Sequence, residues 1–182
     1  MATNDEIVAH IGRLGVVVRS AHLKRSLTEI NPTPSLNFWR LIYGNLLDVA
    51  VLEWCKVFGS DAEPTHWKRV VSDHERFRTG LLSALGIDQG RWVEYWNHMK
   101  TYRDTQVAHH WNAPPLTHYP DLTLALESSY FYYDYLICEL RRLGDRRFPD
   151  DVRDYCTRFA AQATEIARQA LSATAGFSEQ VS

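Results

Sequence analysis

The run Tyr102-Arg103-Asp104-Thr105-Gln106-Val107-Ala108-His109-His110-Trp111 holds the residues best suited to chemistry in this 182-residue chain. A guanidinium such as that of Arg103 can grip a phosphate through two parallel hydrogen bonds. An imidazole, with an ordinary pKa of about 6.5, can give or take a proton near neutrality. His109 and His110 both supply one, and Asp104 can orient either kind of group. Together these residues suit the cleavage of a phosphodiester. A proton leaves an attacking hydroxyl, another reaches the departing oxygen, and a cation matches the charge gathered in the transition state.

The helix expected to carry these groups opens at Gln89, behind the capping residue Asp88, and runs to about His109. At about 100° per residue, Trp92, Trp96, Met99, Arg103 and Val107 share one face. Arg103 thus interrupts an apolar stripe with a permanent charge, and a buried charge without a partner costs several kcal/mol. It needs a carboxylate, for which Asp48 and Asp134 are the candidates, or a phosphate from outside. If the helix persists, His110 shares the face of Arg103 and His109 points about 120° away. If it loosens at Ala108, His109 can turn back toward the guanidinium. Both imidazoles therefore remain candidates for the proton carrier.

Helical periodicity extends over nearly the whole chain, and strand signals are almost absent. A first helix is expected over Asn4–Ile30, with Ile7, Ile11, Leu14, Val18 and Leu23 as its stripe, ended by Asn31-Pro32-Thr33-Pro34. Ser35 is the expected cap of a second helix reaching Phe58, with Gly59 beyond its end. That helix is apolar around most of its circumference, as a central bundle helix should be. Its polar residues Asn37, Arg40, Asn45, Asp48 and Lys56 form either a solvated stripe or, at Asp48, the wall of a polar pocket holding a cation. Short helical pieces follow at 66–71 and 73–85, closed by Gly86. After Pro114, Pro115 and Pro120, Asp121 is the expected cap of a helix through Leu143, stopped by Gly144. Its Leu122, Leu126, Ser129, Tyr133, Leu136, Leu140 and Leu143 form a seam for another helix, within the chain or across a dimer. Pro149 opens the last helix, whose expected inner face is Val152, Tyr155, Phe159, Ile166 and Ala170, with fraying after Gly176. The reading is one all-α domain over residues 1–182, an up-and-down bundle of five to six helices.

A 45% hydrophobic and 23% charged composition is ordinary for a globular domain, and a formal charge of −2 argues against a broadly basic nucleic-acid coat. No apolar run approaches the roughly 20 residues that span a bilayer. The acidic start Asp5-Glu6 is unlike a secretory signal. Cys55, Cys138 and Cys156 are few, far apart and odd in number. They read as reduced, half-buried thiols of a cytoplasmic protein and not as a zinc site.

The order arginine, polar residue, short spacer and histidine at a helix end, here Arg103-Asp104-(x4)-His109, resembles the R-x(4–6)-H motif of the HEPN superfamily. The Val107-Ala108-His109 ending and the all-helical plan resemble its abortive-infection type over most of the chain. The resemblance implies a metal-independent endoribonuclease of toxin–antitoxin or antiphage systems, free of cofactors. It implies a homodimer in which two motifs meet in one cleft to cleave RNA by attack of its own 2′-hydroxyl, leaving a cyclic phosphate. Arg103 and His109 would be the catalytic pair and Asp104 the orienting residue, where the family often has asparagine; Asp48 would stand behind them. An antitoxin protein would be a further partner. Some relatives are inactive, which implies the alternative of a silent helical dimer that binds nucleotide, RNA or a protein.

Two other features compete for function. Glu94 and His98 have the i, i+4 spacing of paired metal ligands, but no second helix carries a matching pair. Tyr130, Phe131, Tyr132, Tyr133 and Tyr135 precede Arg141, Arg142, Arg146 and Arg147, a combination that can stack bases and neutralise phosphates. The plainer reading makes the tyrosines core or seam and sets the arginines against a helix C-terminus, with Asp145, Asp150, Asp151 and Asp154 diluting the positive field.

Overall fold

The computed structural model of the chain describes residues 2–108 and 118–178. Among these residues there are six α-helices and no strand: α1 (Asn4–Ile30), α2 (Asn37–Phe58), α3 (His74–Leu85), α4 (Gln89–Tyr102), α5 (Thr123–Arg142) and α6 (Val152–Thr174). A single 3₁₀ turn, Trp67–Arg69, precedes α3, and a π-helical turn, Arg103–Ala108, follows α4. The chain forms an all-α bundle. No helix among the described residues is long and apolar enough to cross a membrane.

Local chemistry fixes the ends of these helices. Thr3 and Glu6 form a reciprocal capping box at the start of α1, the Thr3 N–H donating to the Glu6 carboxylate at 2.8 Å. Asp73 and Asp88 cap α3 and α4 through their side chains. Gly86 ends α3 at φ 64°, a left-handed conformation costly for any residue with a Cβ. Three expected starts fall elsewhere. α2 begins after Leu36, without a side-chain cap from Ser35. α5 begins after Leu122, although the Asp121 carboxylate still accepts from the Thr123 N–H at 3.1 Å. The last helix opens behind Asp151, which caps the Asp154 N–H, and Pro149 instead offers its carbonyl to the Tyr133 hydroxyl. Asp121 and Asp151 each satisfy a backbone donor at these helix starts.

α1 packs against α2, α5 and α6. Ile7, Ile11, Leu14 and Val18 are buried as expected, joined by Val17 and Ala21. From α5, Leu126, Ser129, Tyr133, Leu136 and Leu140 are buried within the chain, so the seam is largely consumed by the monomer's own core. Tyr130 and Tyr132 are buried there too. On α6 Val152 is buried and Tyr155 and Ala170 pack against the core as expected, joined by Cys156 and Ala167, while Ile166 is exposed and falls outside the inner face. Cys55 and Cys156 are fully buried and Cys138 is exposed, in place of three half-buried thiols.

α2 ends at a tight contact. A Cβ on Gly59 would stand 2.3 Å from the Cys55 carbonyl oxygen, which already accepts the Gly59 N–H at 2.8 Å. The Phe58 and Gly59 carbonyls in turn receive the Trp96 indole N–H at 2.7 and 3.1 Å. Gly59→Ala must therefore move backbone that holds α4, and is expected to cost about 1–3 kcal/mol in urea unfolding.

Two buried histidines tie the bundle together and set its acid sensitivity. The His10 Nδ1 faces the Tyr132 hydroxyl at 2.9 Å. The His66 Nδ1 accepts the Lys68 N–H, which leaves Nε2 to donate toward Asp61 at 3.3 Å. Burial pushes both imidazoles down to about 4, against the opposing pull of Asp61 in the case of His66. Between pH 6.5 and 4 the unfolded chain thus binds protons that the folded chain refuses. The stability these neutral rings contribute is complete above about pH 6.5 and is lost as pH falls toward 4. The urea midpoint should drop by pH 4.5, and less steeply in a His66→Asn variant.

Candidate active site

The fourth helix keeps α-geometry only to Tyr102 and then widens into the π-helical turn, so the expectation of a regular helix to His109 is corrected. Within this turn the Thr105 hydroxyl donates to the Thr101 carbonyl at 2.8 Å. The same back-bond at Thr28, Thr157 and Thr164 lies within regular α-helix, so it accompanies the widening without accounting for it. The loosening starts at Arg103, five residues before the Ala108 position that the sequence suggested. The phase of everything beyond Arg103 changes with it, since i→i+5 bonding advances less angle per residue than the α-helix. π-helical turns of this kind are frequent at functional sites.

Arg103 is three-quarters or more shielded, with a side-chain exposure of 19%. Its Nε donates to Asp104 Oδ1 at 2.7 Å, and a terminal guanidinium nitrogen lies at the same distance from that oxygen. Neither Asp48 nor Asp134 takes it. Asp134 faces Arg153 at 3.8 Å, and Asp48 Oδ1 accepts the Tyr102 hydroxyl at 2.6 Å. Asp48 thus partners a phenol where the sequence suggested a cation. Burial and the bond to this carboxylate push the Tyr102 hydroxyl well above the usual tyrosine range, so it remains a donor at all ordinary pH. The edge of the Tyr102 ring meets Tyr119 at 6.4 Å between centroids, which links the turn to the segment leading into α5.

Beneath the pair lies Cys55. Burial pushes its thiol up to about 12, although Arg103 pulls the other way. It is a packed, protonated side chain and no nucleophile at neutral pH. Val107 packs onto the main core and anchors the far end of the turn. The arrangement is a guanidinium and a carboxylate held together on a widened turn, braced by the Tyr102–Asp48 bond and by Val107, with Asp104 turned toward solvent. His109 and His110 lie outside the described residues. So do Trp111, Pro114 and Pro115.

The other candidates are placed separately. Arg141 pairs with Asp150 and donates to the Asp145 and Phe148 carbonyls at 2.6 and 2.5 Å. Arg142 pairs with Glu139 and Arg147 with Asp145, while no ion pair holds Arg146 among the described residues. This cluster closes the α5–α6 connection, away from the π-helical turn in sequence and in contact. Glu94 is engaged by Arg91 at 2.6 Å. Among the described residues no group of three or more potential ligands is placed to hold a metal ion.

Tyr102 was the residue that sequence reasoning passed over. It falls one step off the Arg103 face and looks like core, which it partly is. The signal lay in Asp48, a carboxylate within the apolar run of α2 that, unlike Glu53 with Arg13 and Lys56, has no cation partner among the described residues and takes its donor from the facing helix. Comparison of the chain with protein-family models, curated proteins and solved structures finds no match in any of the three.

Proposed function

We propose that this chain is a metal-independent endoribonuclease of HEPN type, acting as a homodimer through Arg103 and a histidine of the following segment, His109 in first place. The observation that carries the reading is the Arg103–Asp104 pair on a π-helical turn that ends at Ala108, directly before His109. In this scheme Arg103 binds the scissile phosphate and matches the charge of its transition state. His109 exchanges protons with the 2′-hydroxyl and the leaving 5′-oxygen, with His110 as the alternative carrier. Asp104 holds the guanidinium in place between turnovers, and the Tyr102–Asp48 bond braces the turn from behind. The chemistry needs no metal.

A dimer would supply a second Arg/His set to the same phosphate. α2 offers a surface for it beside Asp48, since Phe38, Leu41 and Val49 are exposed at 54%, 64% and 38%. Cellular roles as a toxin with a protein antitoxin, or in antiphage defence, belong to the same proposal. The test is cleavage of an RNA pool, in the presence of a chelator, by the wild type, Arg103→Ala and His109→Ala. Equal residual cleavage by all three would overturn the assignment. RNA or nucleotide binding without cleavage would instead support a silent helical dimer.

A further inference from the structure

Between α1, α2 and the segment entering α5 lies a cleft of about 510 Å³, within the range of small-molecule sites. None of its lining residues belongs to the Arg103–Ala108 turn, and Tyr119 at its mouth meets Tyr102, the residue before that turn. Its walls are mostly apolar: Tyr43, Leu47, Pro34, Pro120 and Leu122, with the open ring of Tyr119 at the mouth. The Tyr43 hydroxyl reaches the Leu27 and Asn31 carbonyls at 2.6 and 2.9 Å, so its ring is a fixed wall. The floor is open above Gly44, where an added Cβ would meet nothing within 4 Å.

Three cations face this space. Arg25 is engaged by Thr123 at 2.8 Å and lies 4.0 Å from Asp121. Lys24 and Arg40 have no carboxylate within salt-bridge distance among the described residues. Lys24 bonds the Thr28 hydroxyl at 3.0 Å and lies over the Tyr43 ring at 5.2 Å. Arg40 donates to the Pro34 carbonyl and the Asn37 side chain. Burial lowers the Lys24 ammonium, the cost of a cation withdrawn from water without an opposing charge. Against the three cations stand two carboxylates, Glu29 and Asp121. One positive charge is left over, above a largely apolar wall.

We propose that this cleft binds a small organic monoanion, an apolar or aromatic body carrying a single carboxylate. The carboxylate sits between Lys24 and Arg40, where charge-assisted hydrogen bonds are available to it. The body lies along Tyr43 and Leu47 and is closed over by Tyr119. Polyphosphates do not suit the site, because one excess charge cannot offset several and the walls offer little polar compensation.

4-Phenylbutyrate, titrated calorimetrically into the full chain, tests this, with 4-phenylbutylamine as a probe of the same body and opposite charge. The acid should bind and the amine should not. Lys24→Met and Arg40→Gln should each weaken the acid about tenfold. Gly44→Leu, which fills the floor at a helical position that accepts a side chain, should abolish binding while leaving the melting temperature at or above that of the wild type. Proton uptake on binding, as Lys24 regains its ordinary basicity, should accompany the signal at alkaline pH, just below the ordinary lysine range. No binding of the acid, equal binding of acid and amine, or indifference to Gly44→Leu would each overturn the proposal. Arg103→Ala should leave the titration unchanged, which separates this site from the nuclease reading.

Discussion

Under the proposed nuclease reading, Arg103→Ala is expected to lower the rate of RNA cleavage by about 10²–10³-fold, the usual effect of removing one donor aimed at transition-state charge. It should do so without unfolding the chain. The Arg103–Asp104 pair joins neighbouring residues, one shielded and one half exposed, and pairs so close to water contribute about 0–1 kcal/mol. Circular dichroism and the urea midpoint should therefore stay near those of the wild type, and lost cleavage can be assigned to chemistry. Arg103→Lys keeps the charge but not the planar fork, so it should recover only part of the rate. His109→Ala should cost about 10²–10⁴-fold, and the surviving pH profile should lose one limb of its bell. If His110→Ala alone removes that limb, the proton carrier is His110. Asp104→Asn separates two effects of the acid. A fall in rate marks Asp104 as the group that orients Arg103, and a rise marks it as a competitor of the phosphate.

The all-helical plan was legible because burial leaves a direct imprint on periodicity. Ile7, Ile11, Leu14 and Val18 repeat at helical spacing and are all buried. What periodicity cannot place is the exact start of a helix. More than one residue near a start can serve as its boundary: α2 begins after Leu36 and not Ser35, α5 after Leu122 and not Asp121, and α6 after Asp151 and not Pro149. α6 shows a like limit at one position: Ile166 is the larger hydrophobe, but its neighbour Ala167 is the one buried against Leu27, Trp39 and Tyr43.

At the candidate site the types of residue were legible and their geometry was not. A charge on an apolar stripe had to be explained, and Arg103 is indeed shielded and paired. Its partner was the adjacent Asp104, which a regular helix turns about 100° away. The widened turn and the flexible arginine stem bring the two together. A widening that begins at Arg103 leaves no mark on a periodic pattern of apolar residues. The basic cleft left no linear signal either, because Lys24, Arg40 and Tyr119 meet only when three separate segments fold.

Trp54→Ala should have the largest effect on stability, about 3–5 kcal/mol in urea unfolding. Trp54 is the largest side chain wholly withdrawn from solvent. Its ring lies 5.3 Å from Phe58, 5.8 Å from Trp92 and 5.6 Å from Tyr95, so it joins α2 to α4. Its indole N–H donates to the Ser128 hydroxyl at 2.9 Å, which joins α2 to α5 as well. The alanine leaves a void bordered by three aromatic rings, and rings held from several sides cannot collapse to fill it. Trp54→Phe isolates the two contributions. It keeps most of the ring and loses the hydrogen bond, so it should cost about 1–2 kcal/mol for the bond with a smaller packing deficit. The Ser128 hydroxyl still donates to the Ala125 carbonyl at 3.1 Å, which limits the penalty to one vacant acceptor. A loss near the alanine value in the phenylalanine variant would place the weight on the hydrogen bond. Since a domain of this kind has about 5–15 kcal/mol in total, the alanine variant approaches the margin at which the bundle ceases to fold. The aromatic junction of α2, α4 and α5 is then what holds the Tyr102–Asp48 brace, and with it the Arg103 turn, in position.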